Sequence, residues 1–386
     1  MSVDGAGIAE ILDGKRVCIC AGSGGVGKTT TSAAIGAGMA ARGCKVAVLT
    51  IDPAKRLADS FGLAELDNEA RRIEPELLAG AGIDADSGEL WAMMLDAKQT
   101  FDEVIRRYAP DAETRERILS NRIYQQLSAA LAGSQEYMAM EKLYELWAED
   151  GYDLLVLDTP PSRNALDFLD APRRLVQFIE GRALRVFMRP TGIATRIVGG
   201  GASLMFAVLR RITGVDLLDD LAEFFQAFGG MVGGFRERAR KVNALLADER
   251  TCFLVICGPQ GEPISEAADF HRGLVAASLP FGGVIVNKVH FGGGAAPDGE
   301  LDDALGDTLG DPELAARVAA NHRDFDALAA RDRANVERLA AKLSSREVIQ
   351  VPYFDDDVHD LAGLVEVNRY LFAATAEERA ALAAGR

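Results

Sequence analysis

Residues 22–30 read Gly22-Ser23-Gly24-Gly25-Val26-Gly27-Lys28-Thr29-Thr30, a spacing suited to cradling a chain of phosphates. Glycines let backbone N–H groups approach anionic oxygens closely, and a helix starting at the lysine adds partial positive charge. In this pattern Lys28 reaches β- and γ-phosphates, Thr29 puts its hydroxyl on Mg²⁺, and Thr30 contacts the α-phosphate. A glycine-rich turn between strand and helix also occurs without any ligand. Here an apolar run precedes, a helical stretch follows and the full Gly-Lys-Thr is present, which favours phosphate.

Two acids stand at comparable positions further along. Asp52 follows the run KVAVLTI and opens Asp52-Pro53-Ala54-Lys55, and Asp158 ends DLLVLD before Thr159-Pro160-Pro161-Ser162. The C-terminal edge of an open parallel sheet is where ligands sit. Asp-Pro alone is a common turn opener. An apolar run closed by a single acid is, by contrast, the form of a Mg²⁺-supporting aspartate in P-loop enzymes, and the three elements come in the expected order.

These side chains need a sheet to hold them. Runs at 16–21, 45–51, 90–95, 153–158, 252–257, 282–287 and 347–351 are continuously apolar, as parallel strands covered on both faces should be. The expected fold is therefore α/β: a doubly wound, mostly parallel sheet of about seven strands with helical insertions. The core is expected over 14–97, 148–172 and 248–372, with 98–147 and 173–247 as insertions making an α-helical subdomain. A polar stretch, 291–346, should open as a loop and continue as helix. The Ala-rich tail after Leu371 should form a frayed helix.

With 386 residues the chain can bury a large core, and 48% apolar with 26% charged residues is ordinary globular composition. A net charge of −16 argues against a general nucleic-acid binder. No basic segment followed by an apolar run opens the chain, and no span reaches the roughly 20 apolar residues of a membrane crossing. The nearest, 197–209, contains three glycines. A cytoplasmic protein without an integral membrane segment is expected. The five cysteines form no C-x-x-C pair, and Cys252 and Cys257 should face opposite sides of one strand, so core packing is expected rather than a metal clamp. His271, His290, His322 and His359 stand alone and read as surface or capping residues.

Taken together, GSGGVGKTT, TIDPAKRLADSFG and DTPPSRNALDFLDAP resemble the phosphate loop and the first and second switches of the arsenite-pump and tail-anchored-protein-targeting ATPases, in particular the bacterial anion-transporting type. AGSQEYMAMEKL, VIVNKVH and VPYFDDDVHDL extend the resemblance to about residue 364. The resemblance implies ATP and Mg²⁺ as cofactors, with Asp52 orienting or deprotonating the attacking water and Asp158 holding Mg²⁺ through water. It implies adenine contacts from Asn287 and from the loop beginning Pro352-Tyr353, and a dimer that opens and closes with nucleotide.

The family carries a signature lysine where this chain has Ser23, and that lysine would reach the partner's phosphates. Slow hydrolysis alone, or pairing with a lysine-bearing paralogue in a heterodimer rather than a homodimer, is the expected consequence. Neither the zinc clamp nor the three metalloid cysteines of particular branches is visible. The segment 173–247, with LVQFI, IVGGGASLMFAVL and LAEFFQAFGGMVGGF, reads either as core or as an apolar groove for a helical client or membrane-protein partner. The leading expectation is a Mg-ATP-hydrolysing molecular switch that exposes such a surface. A weakly hydrolysing regulatory subunit and the motor of an oxyanion efflux pump are the alternatives.

Overall fold

The computed structural model describes residues 7–52, 54–83, 88–122, 124–125, 135–160, 224, 227, 229–292, 300–343 and 348–384. Eight strands are defined: β1 (Val17–Ala21), β2 (Lys45–Thr50), β3 (Arg71–Arg72), β4 (Glu89–Met94), β5 (Leu154–Asp158), β6 (Thr251–Cys257), β7 (Phe281–Val289) and β8 (Val348–Pro352). They form one sheet in the order β3-β4-β2-β5-β1-β6-β7-β8. β2, β5, β1, β6, β7 and β8 pair in parallel through successive neighbours, and β3 pairs antiparallel to β4.

Every residue of β1, β5 and β6 is buried, which explains why these runs show no alternation. Burying a Val, Leu or Ile side chain stabilises by roughly 1.5–3 kcal/mol. Cys18, Cys20, Cys252 and Cys257 lie in these strands as buried thiols. Cys18 pairs in register with Cys252, and burial pushes the Cys257 thiol up to about 12, leaving it an inert packing group.

β1 is flanked by β5 and β6, and the helix Lys28–Ala40 carries the chain from β1 to β2, beyond β5 on one side. The order therefore reverses around β1. Ligands of open α/β sheets bind in the crevice outside the strand ends at such a reversal.

Two sequence expectations gain detail and one needs correction. All seven expected runs are strands, and β3 adds a short eighth of two exposed arginines, which no apolar run in the sequence marks. The tail is helical as expected, over Ala376–Ala384, and it is anchored by Arg379, which is buried and whose Nη1 donates to the Ala373 carbonyl at 2.8 Å. The histidines also divide. His322 and His359 are exposed, whereas His271 is buried against Phe281 and His290 pairs with the buried Asp332.

The chain divides into two compact units, Met1–Met93 with Asp150–Leu166 and Asp248–Arg386, and Met94–Glu149 with Asp167–Ala247. The first holds the sheet and the long helix Pro312–Lys342. The described part of the second is helical: Ala97–Tyr108, Ala112–Ser120, Gln135–Glu149 and Val232–Leu246. Asp96 and Asp111 cap two of these helices through side-chain acceptors. Within it Phe101 stacks on Tyr124 and lies against Phe235, and Arg238 meets the buried Glu141 at 2.6 Å. The glycine cluster 199–201 and the apolar strings between 173 and 223 lie outside the described residues.

Candidate functional site

At the end of β1 the chain turns through residues 22–27 into the helix Lys28–Ala40. Glycine is required at two points of this turn. A Cβ on Gly22 would collide with the Ile256 carbonyl oxygen of β6, and Gly27 precedes the helix in the left-handed region, φ 90°. The first N–H groups of a helix have no intrahelical acceptor, a ready arrangement for an anion.

Lys28 is buried, and its Nζ donates to the Ser23 carbonyl at 2.9 Å, curling its side chain back over the loop. Burial holds its pKa below the ordinary lysine range, against the opposing pull of Asp158 and Asp52. A desolvated ammonium beside two acids is an electrostatically strong partner for a polyanion.

Asp158 ends β5, in register with Cys20 of β1 and Thr50 of β2. Its Oδ2 accepts from Thr29 Oγ1 at 2.7 Å and from Thr50 Oγ1 at 2.9 Å. Its Oδ1 is buried and has no hydrogen-bond partner among the described residues. Burial raises the carboxyl to about 6, opposed by the two threonine hydrogen bonds and Lys28 and reinforced by Asp52. A buried carboxylate oxygen left open beside a threonine hydroxyl fits a hydrated divalent cation, which restores the lost solvation.

Asp52 lines the same cavity as Lys28 and Thr29. Its N–H donates to Thr50 Oγ1 at 3.2 Å and its Oδ1 accepts from Ala54 N–H at 3.0 Å, so the segment after β2 is fixed at its first step.

The far wall comes from β7 and β8. Asn287 donates from Nδ2 to the Val26 carbonyl at 2.9 Å, tying the end of β7 to the glycine loop. Lys288 adopts φ 62°, a costly conformation for a side-chain-bearing residue, and its N–H donates to Asn287 Oδ1 at 2.9 Å. Lys288 Nζ lies 3.3 Å from the Gly25 carbonyl. Pro352 and Tyr353 complete this wall, and the cavity of about 450 Å³ falls within the roughly 300–1,000 Å³ typical of small-molecule sites.

Of the residues expected from sequence, Gly24, Gly25, Gly27, Lys28, Thr29, Thr30, Asp52, Asn287, Pro352 and Tyr353 line one cavity. Ser23 and Val26 bond to it through their carbonyls, Gly22 provides the close approach to β6, and Asp158 stands behind Thr29. Sequence reasoning missed Thr50, Arg56, Thr159 and Lys288. Thr159 directly follows the strand-end acid Asp158, a signal that could have found it; Thr50 acts only through its register with Asp158, and Arg56 and Lys288 lie inside the strings TIDPAKRLADSFG and VIVNKVH without a task of their own.

Comparison with known proteins agrees with this geometry. The family model described as anion-transporting ATPase matches residues 15–292. The Aquifex aeolicus protein named "Putative arsenical pump-driving ATPase 1" is 28% identical over 279 residues, covering 71% of this chain and 63% of that one. The ATPase GET3 of Malassezia globosa is 28% identical over 261 residues, 65% of this chain and 66% of its own. ATPase ARSA2 of Chlamydomonas reinhardtii is 26% identical, covering 74% of this chain and 71% of its own. The chain thus spans slightly under two thirds of the length of the first two. The family match takes in the glycine loop, both acids and Asn287 and extends over most of the sheet, so the chain belongs to the anion-transporting ATPase family.

Proposed function

We propose that the protein binds Mg-ATP in the cavity between the glycine loop and the β7–β8 wall and hydrolyses the bond between its β- and γ-phosphates. The observation that carries this reading is the convergence at Asp158: Thr29 and Thr50 occupy one carboxylate oxygen while the other, buried, has no donor among the described residues. Lys28 neutralises the β- and γ-phosphates, loop N–H groups hold the phosphate oxygens, and Thr30 contacts the α-phosphate. Thr29 and Asp158 would hold Mg²⁺, the latter through water; when bound, the ion would stabilise the negative charge of the phosphates. Asp52 orients or deprotonates the water that attacks the γ-phosphorus, so that ADP leaves and inorganic phosphate is formed. Asn287, Pro352 and Tyr353 receive the base.

The finer reading is a dimeric switch whose nucleotide state governs a helical, apolar partner surface. Its support is the Met- and Phe-rich composition of 173–247 beside the helices of the second unit. Ser23 favours a second reading, a slowly hydrolysing subunit that works with a lysine-bearing paralogue. Pump driving, which the name of the Aquifex relative suggests, gains no support from the cysteines, since four of the five are buried in the sheet.

Phosphate release from Mg-ATP by the purified chain tests the proposal. Asp52→Asn should lower kcat at least about a hundredfold while ATP still binds. Wild-type turnover unaffected by this change would remove Asp52 from the chemistry.

A further inference from the structure

Behind Tyr353 lies a group of side chains to which the phosphate chemistry gives no task. The Tyr353 ring is parallel to the His290 ring, at an interplanar angle of 9° and a centroid separation of 5.4 Å. His290 follows β7 directly, and its backbone N–H and Nδ1 both meet Asp332 Oδ2, at 3.2 and 2.7 Å. Asp332 sits within the helix Pro312–Lys342 at 0% exposure, and its other oxygen accepts from Arg331 at 2.8 and 3.1 Å. Phe325, about two turns earlier on the same helix, meets the imidazole edge-on at 5.4 Å and 76°.

A buried aspartate inside a helix is unfavourable unless its charge is satisfied. Burial alone would raise the Asp332 carboxyl, yet the hydrogen bonds from His290 and Arg331 bring it below the usual range, so it is an acceptor at neutral pH. Nδ1 of His290 must then carry the proton, and the double contact fixes the plane of the ring. Tyr353 also donates its backbone N–H to the Val289 carbonyl at 2.9 Å, so both ring-bearing residues are anchored at the same strand end. Tyr353 nevertheless remains 54% exposed and lines the cavity that Lys28 and Thr29 share. A side chain there only for packing would not keep so much of its surface open.

We infer that His290 and Asp332 are positioning residues that hold the Tyr353 ring as a base-stacking wall of the cavity. The inference rests on the nucleotide reading above and adds two residues to it. The imidazole backs one face of the phenol ring, the carboxylate sets the imidazole, and the ring is presented to a flat heteroaromatic base. Stacking of this kind recognises the base and leaves the phosphates to the loop.

Calorimetric titration of the full chain with ATP and with inorganic tripolyphosphate, both with Mg²⁺, separates the two ends of the cavity. Wild type should bind ATP more tightly than tripolyphosphate. His290→Ala should weaken ATP about tenfold and leave tripolyphosphate unchanged, Tyr353→Ala should do the same, and the double variant should be no worse than Tyr353→Ala alone. If His290→Ala does not fold, His290→Gln, which keeps a donor toward Asp332 without a ring, carries the same expectation. Equal weakening of both ligands, undiminished ATP affinity or additive losses would overturn the inference. Wild type that binds tripolyphosphate and ATP equally would sink this inference alone, whereas wild type that binds neither would also sink the nucleotide reading.

Discussion

The Thr29 hydroxyl donates to Asp158 Oδ2 across 2.7 Å, joining residues 129 apart in sequence. The bond places the first turn of the helix Lys28–Ala40 against the end of β5, and both sides are buried or nearly so. A carboxylate so enclosed is desolvated at a cost to the fold, and that cost can be measured.

Replacing Asp158 with Asn removes this cost. The native carboxyl, raised to about 6 by burial, binds its proton more tightly in the folded than in the unfolded chain. Its contribution to stability is therefore complete below the unfolded pKa of about 3.9 and lost as pH rises through about 6. The buried charge costs on the order of 3 kcal/mol at pH 8. Without nucleotide or Mg²⁺, Asp158→Asn should melt above wild type at pH 8, with the gap closing toward pH 4, and should bind Mg-ATP poorly. A variant less stable than wild type at pH 8 would contradict this reading of Asp158.

Gly22→Ala should be destabilised by about 3 kcal/mol, because the new methyl meets the backbone of β6 rather than a movable side chain. Chemical denaturation measures it. Gly25→Ala offers the comparison: no described residue lies within 4 Å of its Cβ, and the cost there should come from φ 76° alone, about 1 kcal/mol.

Ser23→Lys should raise steady-state turnover of the purified chain by at least about tenfold, a fraction of the roughly 10³–10⁵ that a well-placed cation contributes to phosphoryl transfer. Unchanged, already rapid turnover would mean that position 23 does not limit the reaction.

Much of this was legible because parallel strands buried on both faces write themselves as unbroken apolar runs, and because close approach to phosphate admits few residues other than glycine. Asp158 was readable as the lone acid at the end of such a run. Thr50 was not, since its role exists only through the register that pairs it with Asp158. The His290–Asp332 contact spans 42 residues and depends on how the helix Pro312–Lys342 lies beside β7, which local patterns do not encode. The tail was legible as a helix, but the buried arginine that anchors it was not, since composition alone assigns arginine to solvent.

Titration of Mg-ATP into wild type and Lys28→Ala, followed by calorimetry, bears most directly on the proposed site. The wild type should bind, and loss of the buried ammonium should weaken affinity by roughly a hundredfold. Equal affinity in the two proteins would contradict the assignment of this loop as the seat of the triphosphate.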